Sequence, residues 1–368
     1  MVACRKPPAA AAANREDANR SMNPRPVTTI GDAAARILAG TGEGRVFAVF
    51  GRSFYVDFGG GLICVGPPDF GPGPSHLLAA FDDVAAWTDR LEPGDPATTQ
   101  GGVLAVAGLG LDFSGLVPWR AAPPAPLRPA DLATGLDRLA RAVARRRPVG
   151  LGVLVGDLCR GARPVATALD PFLAPAAAMI AALGERIRHA APDAPFAVPD
   201  PHGLIGLGPG LTPSGDDFLA GFLIALRRLG RGDHAEALAA SVVPRAARAT
   251  NAIAAALLAH AAAGEISARL IEVLDRIAAG GDAEALLDRV ETIGHTSGWD
   301  CLAGMVAAAA AVIGRPEPDA RGSDADRTSE TSPGLLCRLA SAALVWPAPA
   351  PSFAGSPGSP RRGEQSSS

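Results

Sequence analysis

Two copies of one short polar motif occur in the chain, and each copy opens a run of apolar residues. The first copy begins at Ser214 and reads SGDDFLAG, and the second begins at Ser297 and reads SGWDCLAG. Both fit the pattern S-G-x-D-x-L-A-G, and a threonine closely precedes each, at Thr212 and Thr296. Serine and aspartate are not the common residues of this alanine- and glycine-rich chain, so the repetition indicates a shared role.

The serine and the aspartate of each copy predict the start of a helix. In the pattern Ser-x-x-Asp, the serine side chain accepts an N–H of the first helical turn, and the carboxylate three residues later accepts the N–H of the serine. We therefore expect helices to begin at Ser214 and Ser297, with Asp217 and Asp300 as capping groups. A capping box alone is a structural feature, and this interpretation applies to either copy considered by itself.

Asp216 favours a functional site, because it is a carboxylate that the cap does not need. The glycines before it, Gly206, Gly208 and Gly210, allow a ligand to approach the backbone closely. Helix N-termini bind anions through free N–H groups, whereas carboxylates accept hydrogen bonds from amides and hydroxyls. The combination predicts a small ligand with an anionic end and an amide or hydroxyl group.

Small residues at Gly221 and Gly304 predict that the two helices pack closely with neighbouring N-termini, so that both motifs contribute to one site. The predicted catalytic residues are Asp216, His295, Ser214 and Ser297. The predicted substrate-binding residues are Thr212, Gly208, Gly210, Gly215, Asp217, Thr296, Gly298 and Asp300. Among these, the backbone amides of Gly215 and Gly298 are expected to donate to the ligand, and no protein metal site is predicted.

The predicted fold class is α+β, with a β-rich N-terminal domain followed by a mostly α-helical C-terminal domain that carries both motifs. Alternating apolar and polar residues around a glycine triplet predict a hairpin over residues 45–65, and further strands are expected within 101–120. A helix is predicted near Leu77, and one strand is predicted at 149–155. The expected boundaries are 27–129 for the β-rich domain and 130–314 for the helical domain, with disordered segments at 1–26 and 315–368.

Composition excludes several classes of protein. The 368 residues include 48% hydrophobic and 19% charged residues with a formal net charge of −3, and no basic cluster indicates nucleic-acid binding. The most apolar run, 301–313, is shorter than the ~20 residues that span a membrane. The five cysteines lack metal-ligand spacing, which favours a cytoplasmic location. We expect no signal peptide and no firm cofactor, although the acidic residues leave Mg²⁺ open.

The same residues carry a resemblance to a known family. The segments GLGPGLTPSGDDFLAG and GHTSGWDCLAG, together with an N-terminal GPGP and LDFSGLVPW, resemble the AllH-type subunits of oxamate carbamoyltransferase, and the resemblance covers roughly residues 27–314. It implies phosphorolysis of oxalurate to oxamate and carbamoyl phosphate in allantoin catabolism. It also implies two companion subunits, one of them FdrA-like and the other a third subunit.

The implied substrates agree with the predicted site. Oxalurate and carbamoyl phosphate each carry an anionic end and a carbamoyl NH₂ group, and transfer requires a polarised carbamoyl oxygen and a protonated departing nitrogen. His295 is a candidate proton donor, although a lone histidine beside a turn is more often structural. His76, after the GPGP segment, indicates either part of a phosphate pocket or a rigid turn.

Two other functions stay open. PSGDDFLAG is similar to the motif with which ribokinase-like kinases begin a helix, although the first half lacks the βαβ alternation of that fold. The chain could also be a non-catalytic assembly subunit of an acyl- or carbamoyl-transfer complex, in which the caps only hold a helical interface.

Overall fold

The structure is a computed structural model that describes residues 24–39, 42–121, 127–190 and 198–314. The terminal segments predicted to be disordered, 1–26 and 315–368, lie outside these residues except for 24–26. The described residues confirm the predicted fold class, because a β-rich region is followed by a helical region.

Eight strands form a closed barrel in the N-terminal region. They are β1 (Arg25–Ile30), β2 (Gly42–Phe50), β3 (Ser53–Asp57), β4 (Leu62–Gly66), β5 (His76–Ala79), β6 (Pro96–Gln100), β7 (Val103–Val106) and β8 (Leu109–Asp112). Their order around the barrel is β1-β5-β4-β3-β2-β6-β7-β8, and β8 closes the barrel by pairing with β1. The pairs β1–β8 and β4–β5 are parallel, and the other six pairs are antiparallel.

The hairpin predicted over residues 45–65 is confirmed as β2, β3 and β4. The helix predicted near Leu77 is wrong, because His76–Ala79 is strand β5. This short strand pairs with β4 on one side and β1 on the other, and Leu77, Leu78 and Ala79 are buried in the barrel. Pairing with two distant strands therefore overrides the local helical pattern.

Two helices belong to the barrel region, α1 (Asp32–Leu38) and α2 (Ala85–Thr88). The helical region contains α3 (Pro129–Val143), α4 (Val155–Cys159), α5 (Ala176–His189), α6 (Ser214–Arg228), α7 (Gly232–Ala249), α8 (Ala252–Ala262), α9 (Ala268–Ala278), α10 (Ala283–Glu291) and α11 (Ser297–Val312). Within the described residues, no helix is both long enough and apolar enough to span a bilayer.

The strand predicted at 149–155 is also wrong. Residues Gly150–Leu154 form a 3-10 helix that continues into α4. Gly150 has φ of +59°, and the N–H of Leu151 donates to the Asp300 carboxylate at 2.6 Å. This contact with α11 holds the apolar segment in a helical turn, and a single-sequence pattern cannot anticipate it.

Helices α6 and α11 form the centre of the helical core, and each begins at the serine of its motif as predicted. A Cβ atom at Gly221 would collide with the carbonyl oxygen of Cys301, and a Cβ atom at Gly304 would collide with that of Phe218. The two collisions are equivalent under the motif repeat. They show that the backbones of α6 and α11 are in contact at two places, which a pseudo-two-fold axis between the helices relates to each other.

The two helices run side by side in the same direction. At their starts, the Thr212 hydroxyl, two residues before α6, lies 2.9 Å from the Ser297 hydroxyl, the first residue of α11. One turn farther along, Phe218 and Gly221 of α6 meet Gly304 and Cys301 of α11. The structure therefore brings both N-termini together, as the repeat predicts.

A small apolar cluster joins the barrel to the helical region. Ile253 of α8 packs with Ala48 and Leu62 of the barrel, and the three side chains are 4–7% exposed. Tyr55 of β3 lies against the same cluster. Helix α8 is thus held on the outer face of strands β2, β3 and β4.

Candidate functional site

The polar groups of the two motifs bond across the helix pair instead of capping their own helices. Pro213 occupies the N-cap position of α6 and Thr296 that of α11, and neither makes a side-chain capping bond. The Ser214 hydroxyl interacts with the Asp300 carboxyl of α11, and the Ser297 hydroxyl interacts with the Asp217 carboxyl of α6. The predicted capping boxes are therefore wrong, because the close approach of the helices offers each serine a carboxyl on the other helix.

The predicted amide donors are also occupied. The N–H of Gly215 donates to the Leu207 carbonyl at 2.9 Å, and the N–H of Gly298 donates to the Ile293 carbonyl at 2.9 Å. These two glycines have a packing role, because a Cβ atom at Gly215 would collide with the Leu204 carbonyl. The expectation that both amides bind the ligand is corrected accordingly.

Asp216 holds two loops of the protein together. It is fully buried, and its carboxylate accepts the Gly206 N–H at 3.0 Å and the Thr250 hydroxyl at 2.6 Å. Burial raises the pKa of Asp216, and the Thr250 and Gly206 hydrogen bonds oppose that rise. Asp216 does not line the cavity described next. Its two hydrogen bonds to the protein are typical of a structural carboxylate.

A cavity of about 430 Å³ lies between the barrel and the helical region. The barrel supplies one wall through β3, β4 and the segment that leads into β5. Helices α8 and α9 and the starts of α6 and α11 supply the other wall. Of the predicted site residues, Thr212, Asp217 and Ser297 line this cavity together. Its other polar lining residues include Arg52, Ser53, Tyr55, Ser75, His76, His260, Glu265, Ser267, Arg269 and Thr292.

Asp217 is the buried carboxyl of this cavity. Its side chain is 1% exposed, and its Oδ2 atom has no hydrogen-bond partner among the described residues. Burial raises the pKa of Asp217 well above its usual range; hydrogen bonding from Ser297 opposes the rise, and the Asp300 and Asp216 charges add to it. Asp217 is therefore a carboxyl that holds its proton to higher pH than an exposed aspartate does.

Asp300 occupies the equivalent position of the second motif but has a different environment. One of its oxygens accepts the Leu151 N–H, and the side chain does not line the cavity. Burial raises the pKa of Asp300, and bonds from Leu151, Thr296 and Ser214 oppose the rise. The pseudo-symmetry is thus broken, and only the first motif presents its carboxyl to the cavity.

Arg269 supplies positive charge to the cavity wall. Its guanidinium donates to the Thr292 hydroxyl at 3.3 Å, and no carboxylate of the described residues lies within 4 Å of it. Arg52 also lines the cavity, but it is paired with Asp69 at 2.6 Å. Arg269 is thus a cation whose charge a bound anion could balance.

His76 lines the same cavity, and its protonation is fixed by its surroundings. Its Nδ1 atom lies 2.9 Å from the Gly71 carbonyl, which can only accept a hydrogen bond. Burial lowers the pKa of His76, and the charges of His260 and Arg269 lower it further against the effect of the Gly71 bond. The ring is therefore neutral near pH 7, with Nε2 as its unprotonated nitrogen.

The remaining predicted residues lie apart from the cavity lining. His295 is exposed on the loop before α11, and Gly210 is exposed at the tip of the loop before α6. Gly208 has φ of +112° and packs against Ser214. Thr296 and Ser214 interact with Asp300, as described above.

Sequence reasoning missed Ser75, His260, Glu265 and Arg269 as lining residues. They come from a loop of the barrel and from the two ends of the α8–α9 connection, so no local motif unites them. The histidine after GPGP was the one available signal, since His76 and Ser75 follow that turn directly.

The described cysteines, Cys64, Cys159 and Cys301, are buried and form no disulfide bond. Burial raises the pKa of Cys64 to about 11 and that of Cys301 well above its usual value, so both cavity thiols stay protonated. Within the described part of the chain, no group of three or more histidine, cysteine, aspartate or glutamate side chains could hold a metal ion.

Comparison with known proteins identifies the segment that carries both motifs. Residues 204–309 match the AllH family, described as oxamate carbamoyltransferase subunit AllH. The predicted resemblance is confirmed over this AllH segment. The segment contains Thr212, Asp217 and Ser297 and also His260, Glu265 and Arg269, so it supplies one complete wall of the cavity. No curated protein and no solved structure matches the chain.

Proposed function

We propose that this chain is a subunit of an oxamate carbamoyltransferase and that its cavity binds the carbamoyl group during phosphorolysis of oxalurate to oxamate and carbamoyl phosphate. The AllH segment supports the assignment, because it brings to one cavity a buried carboxyl with a raised pKa, Asp217, and an arginine without a carboxylate partner among the described residues, Arg269. The proposal depends most on Asp217, because among the buried aspartates Asp216, Asp217 and Asp300 only Asp217 lines this cavity.

The proposed ligands fit the charges of the cavity. Oxalurate and phosphate are anions, and Arg269 offers them a guanidinium that no carboxylate of the described residues neutralises. The departing oxamate nitrogen needs a proton, and we assign its donation to Asp217, whose pKa burial raises. General acids of this kind contribute roughly 10²- to 10⁴-fold to rate.

The Ser297 and Thr212 hydroxyls would orient the amide end of the substrate. They lie 2.9 Å apart at the junction of the two helix starts, and both line the cavity. A hydroxyl both donates and accepts, so this pair can bind a carbamoyl C=O or NH₂ group without leaving a buried group unpaired.

In this proposal, companion subunits complete the cavity. The expected partners are an FdrA-like subunit and a third subunit, and the proposed location is the cytoplasm. The ribokinase-like alternative finds little support, because the N-terminal region is a closed, mainly antiparallel barrel instead of a βαβ sheet.

Reconstitution of the three subunits tests the proposal. The complex should form carbamoyl phosphate from oxalurate and phosphate, and omission of this chain should abolish the reaction. Arg269→Met should raise the KM for an anionic substrate roughly 10- to 100-fold, the effect of losing a charge-assisted hydrogen bond.

Arg289→Met is the matched control for Arg269. Arg289 is exposed, is paired with Glu272 and does not line the cavity, so this variant should keep the KM of the wild type. An active complex without this chain, or equal KM values for both variants, would contradict the proposed role.

A further inference from the structure

A serine, a histidine and a glutamate form a hydrogen-bonded series on one side of the cavity. The Ser75 hydroxyl lies 2.6 Å from Nε2 of His260, and Nδ1 of His260 lies 2.9 Å from the Glu265 carboxylate. All three side chains line the cavity. These are the distances at which a base and its orienting carboxylate activate a nucleophile.

The direction of the hydrogen bonds follows from the carboxylate. An ionised Glu265 can only accept, so Nδ1 of His260 carries the proton of that bond. The other ring nitrogen, Nε2, is then unprotonated in the neutral ring and accepts the Ser75 hydroxyl. Glu265 therefore selects the tautomer in which His260 can remove the proton of Ser75.

The backbone holds the three residues in place. The Ser75 carbonyl accepts the Cys64 N–H at 2.8 Å, which fixes the serine to the edge of β4. The Glu265 N–H donates to the His260 carbonyl at 2.8 Å, which closes the turn after α8. Ser75 thus comes from the barrel and its base from the helical region, and the apolar cluster around Ile253 joins the two.

We propose that Ser75 is a nucleophile that accepts an acyl or carbamoyl group from a carbonyl compound in the cavity, with His260 as its base and Glu265 as a positioning residue. With an activated ester or carbamate, the Oγ–C bond forms, the bond from that carbon to the leaving oxygen breaks, and the Ser75 proton moves to His260. Attack by water then breaks the Oγ–C bond and returns the His260 proton to Ser75, while the proton released by water goes to solvent.

The role of Ser75 toward oxalurate rests on the proposed function. With oxalurate as the donor and phosphate as the acceptor, the same serine would carry the carbamoyl group from one to the other. The carbamoyl carbon leaves the oxamate nitrogen for Ser75 Oγ; Asp217 gives its proton to that nitrogen, and His260 takes the serine proton. A phosphate oxygen then attacks the carbamoyl carbon, its hydroxyl proton restores Asp217, and His260 returns its proton to Ser75.

The test uses the full chain and 4-nitrophenyl dimethylcarbamate, because 4-nitrophenolate leaves without protonation and dimethylcarbamoyl-serine is hydrolysed slowly. We expect a burst of one 4-nitrophenolate per chain, and mass spectrometry should find one dimethylcarbamoyl group on Ser75. Ser75→Ala should abolish the burst. Modification of another residue, or an equal burst from Ser75→Ala, would overturn the proposal.

Ser267→Ala is the matched control, since Ser267 lines the same cavity but belongs to no hydrogen-bonded series with a histidine among the described residues. It should give the wild-type burst. Should Ser75→Ala be poorly folded, Ser75→Cys keeps a nucleophile at this position and should be carbamoylated at the new thiol. If that thiol and the wild-type Ser75 hydroxyl both stayed unmodified, the proposal would be overturned without reference to folding.

The positioning role of Glu265 has a separate readout. Glu265→Gln can donate to Nδ1 and so favours the wrong tautomer, and we expect burst rates lower by roughly 10²- to 10⁴-fold, with partial rescue in Glu265→Asp. Unchanged burst rates in Glu265→Gln would overturn this role. The labelling reaction requires neither oxalurate nor the companion subunits, so its failure is distinguishable from failure of the proposed function.

Discussion

Asp217 and Asp300 show how identical motifs acquire different roles at the scale of single residues. Both carboxyls are buried, and both face a serine of the other motif. Each carboxyl keeps one oxygen without a hydrogen-bond partner among the described residues, but the other oxygen of Asp300 accepts the Leu151 N–H, and only Asp217 lines the cavity. Chemistry is therefore assigned by the surroundings of each carboxyl and not by the motif itself.

The raised pKa of Asp217 predicts that the free energy of unfolding depends on pH. Because the folded state binds the Asp217 proton more tightly than the unfolded state, this contribution to stability is complete below the unfolded pKa, near 4, and is lost as the pH rises through the folded pKa. Asparagine cannot ionise. We therefore expect Asp217→Asn to be at least as stable as the wild type at pH 7.

Urea unfolding between pH 4 and pH 8 measures this difference. The unfolding free energy of Asp217→Asn, relative to that of the wild type, should increase as the pH rises. Asp216 and Asp300 are present in both proteins, and their charges affect this difference only through their interaction with Asp217. A difference that is independent of pH would contradict the raised pKa.

The sequence predicted where the two motif helices begin better than it predicted the hydrogen-bond partners of the motif side chains. It correctly placed helix starts at Ser214 and Ser297, because each motif opens a run of apolar residues, and this change is visible in the local sequence. It could not predict that Ser297 bonds to Asp217, since this contact depends on how two distant segments pack. The assignment of chemistry to the spare carboxylate Asp216 missed the Thr250 hydroxyl and the Gly206 N–H for the same reason.

At the scale of elements, the contact of α6 with α11 depends on two glycines. Gly221 and Gly304 leave no room for a methyl group, because each faces a backbone carbonyl of the other helix. We expect Gly221→Ala and Gly304→Ala each to lower the unfolding free energy by about 1–3 kcal/mol or more, the cost of overpacking a core.

Gly184→Ala provides the control for these two variants. Gly184 lies inside α5, and nothing lies within 4 Å of a Cβ atom placed there. Its substitution should raise the unfolding free energy by about 0.4–1 kcal/mol through the gain in helix propensity and reduced chain entropy. Equal effects at Gly184 and Gly221 in denaturant unfolding would contradict the close helix contact.

Elements with a clear local pattern were predicted correctly, and those set by distant partners were not. The hairpin of β2, β3 and β4 follows from alternating residues and glycine turns. Strand β5 has only four residues and is defined by β1 and β4, and residues Gly150–Leu154 are held as a helical turn by Asp300. The closure of the barrel through β1 and β8 likewise had no sequence signal.

At the scale of the whole molecule, the cavity exists because the barrel and the helical region pack against each other. Ile253 of α8 lies at this contact and is 4% exposed. Ile253→Ala should lower the unfolding free energy by roughly 2–5 kcal/mol and should also slow carbamoylation of Ser75, because the barrel and His260 lose their common support.

Ile187→Ala separates these two effects. Ile187 is fully buried in α5, within the helical core and away from the cavity lining. Ile187→Ala should lower the unfolding free energy by an amount similar to that of Ile253→Ala. The rate of Ser75 carbamoylation in the folded protein should stay at the wild-type value. If both variants slowed labelling equally, the rate would depend on global stability and not on the contact at Ile253.

In the proposed function, the Asp217 carboxyl of the AllH segment provides the proton for carbamoyl transfer. The most direct measurement compares Asp217→Asn with Asp216→Asn in the reconstituted three-subunit complex, with assembly confirmed for each. We expect phosphorolysis of oxalurate to fall by roughly 10²- to 10⁴-fold in Asp217→Asn, the usual contribution of a general acid, and to persist per folded complex in Asp216→Asn. Retained activity in an assembled Asp217→Asn complex, or its selective loss in Asp216→Asn, would contradict this account.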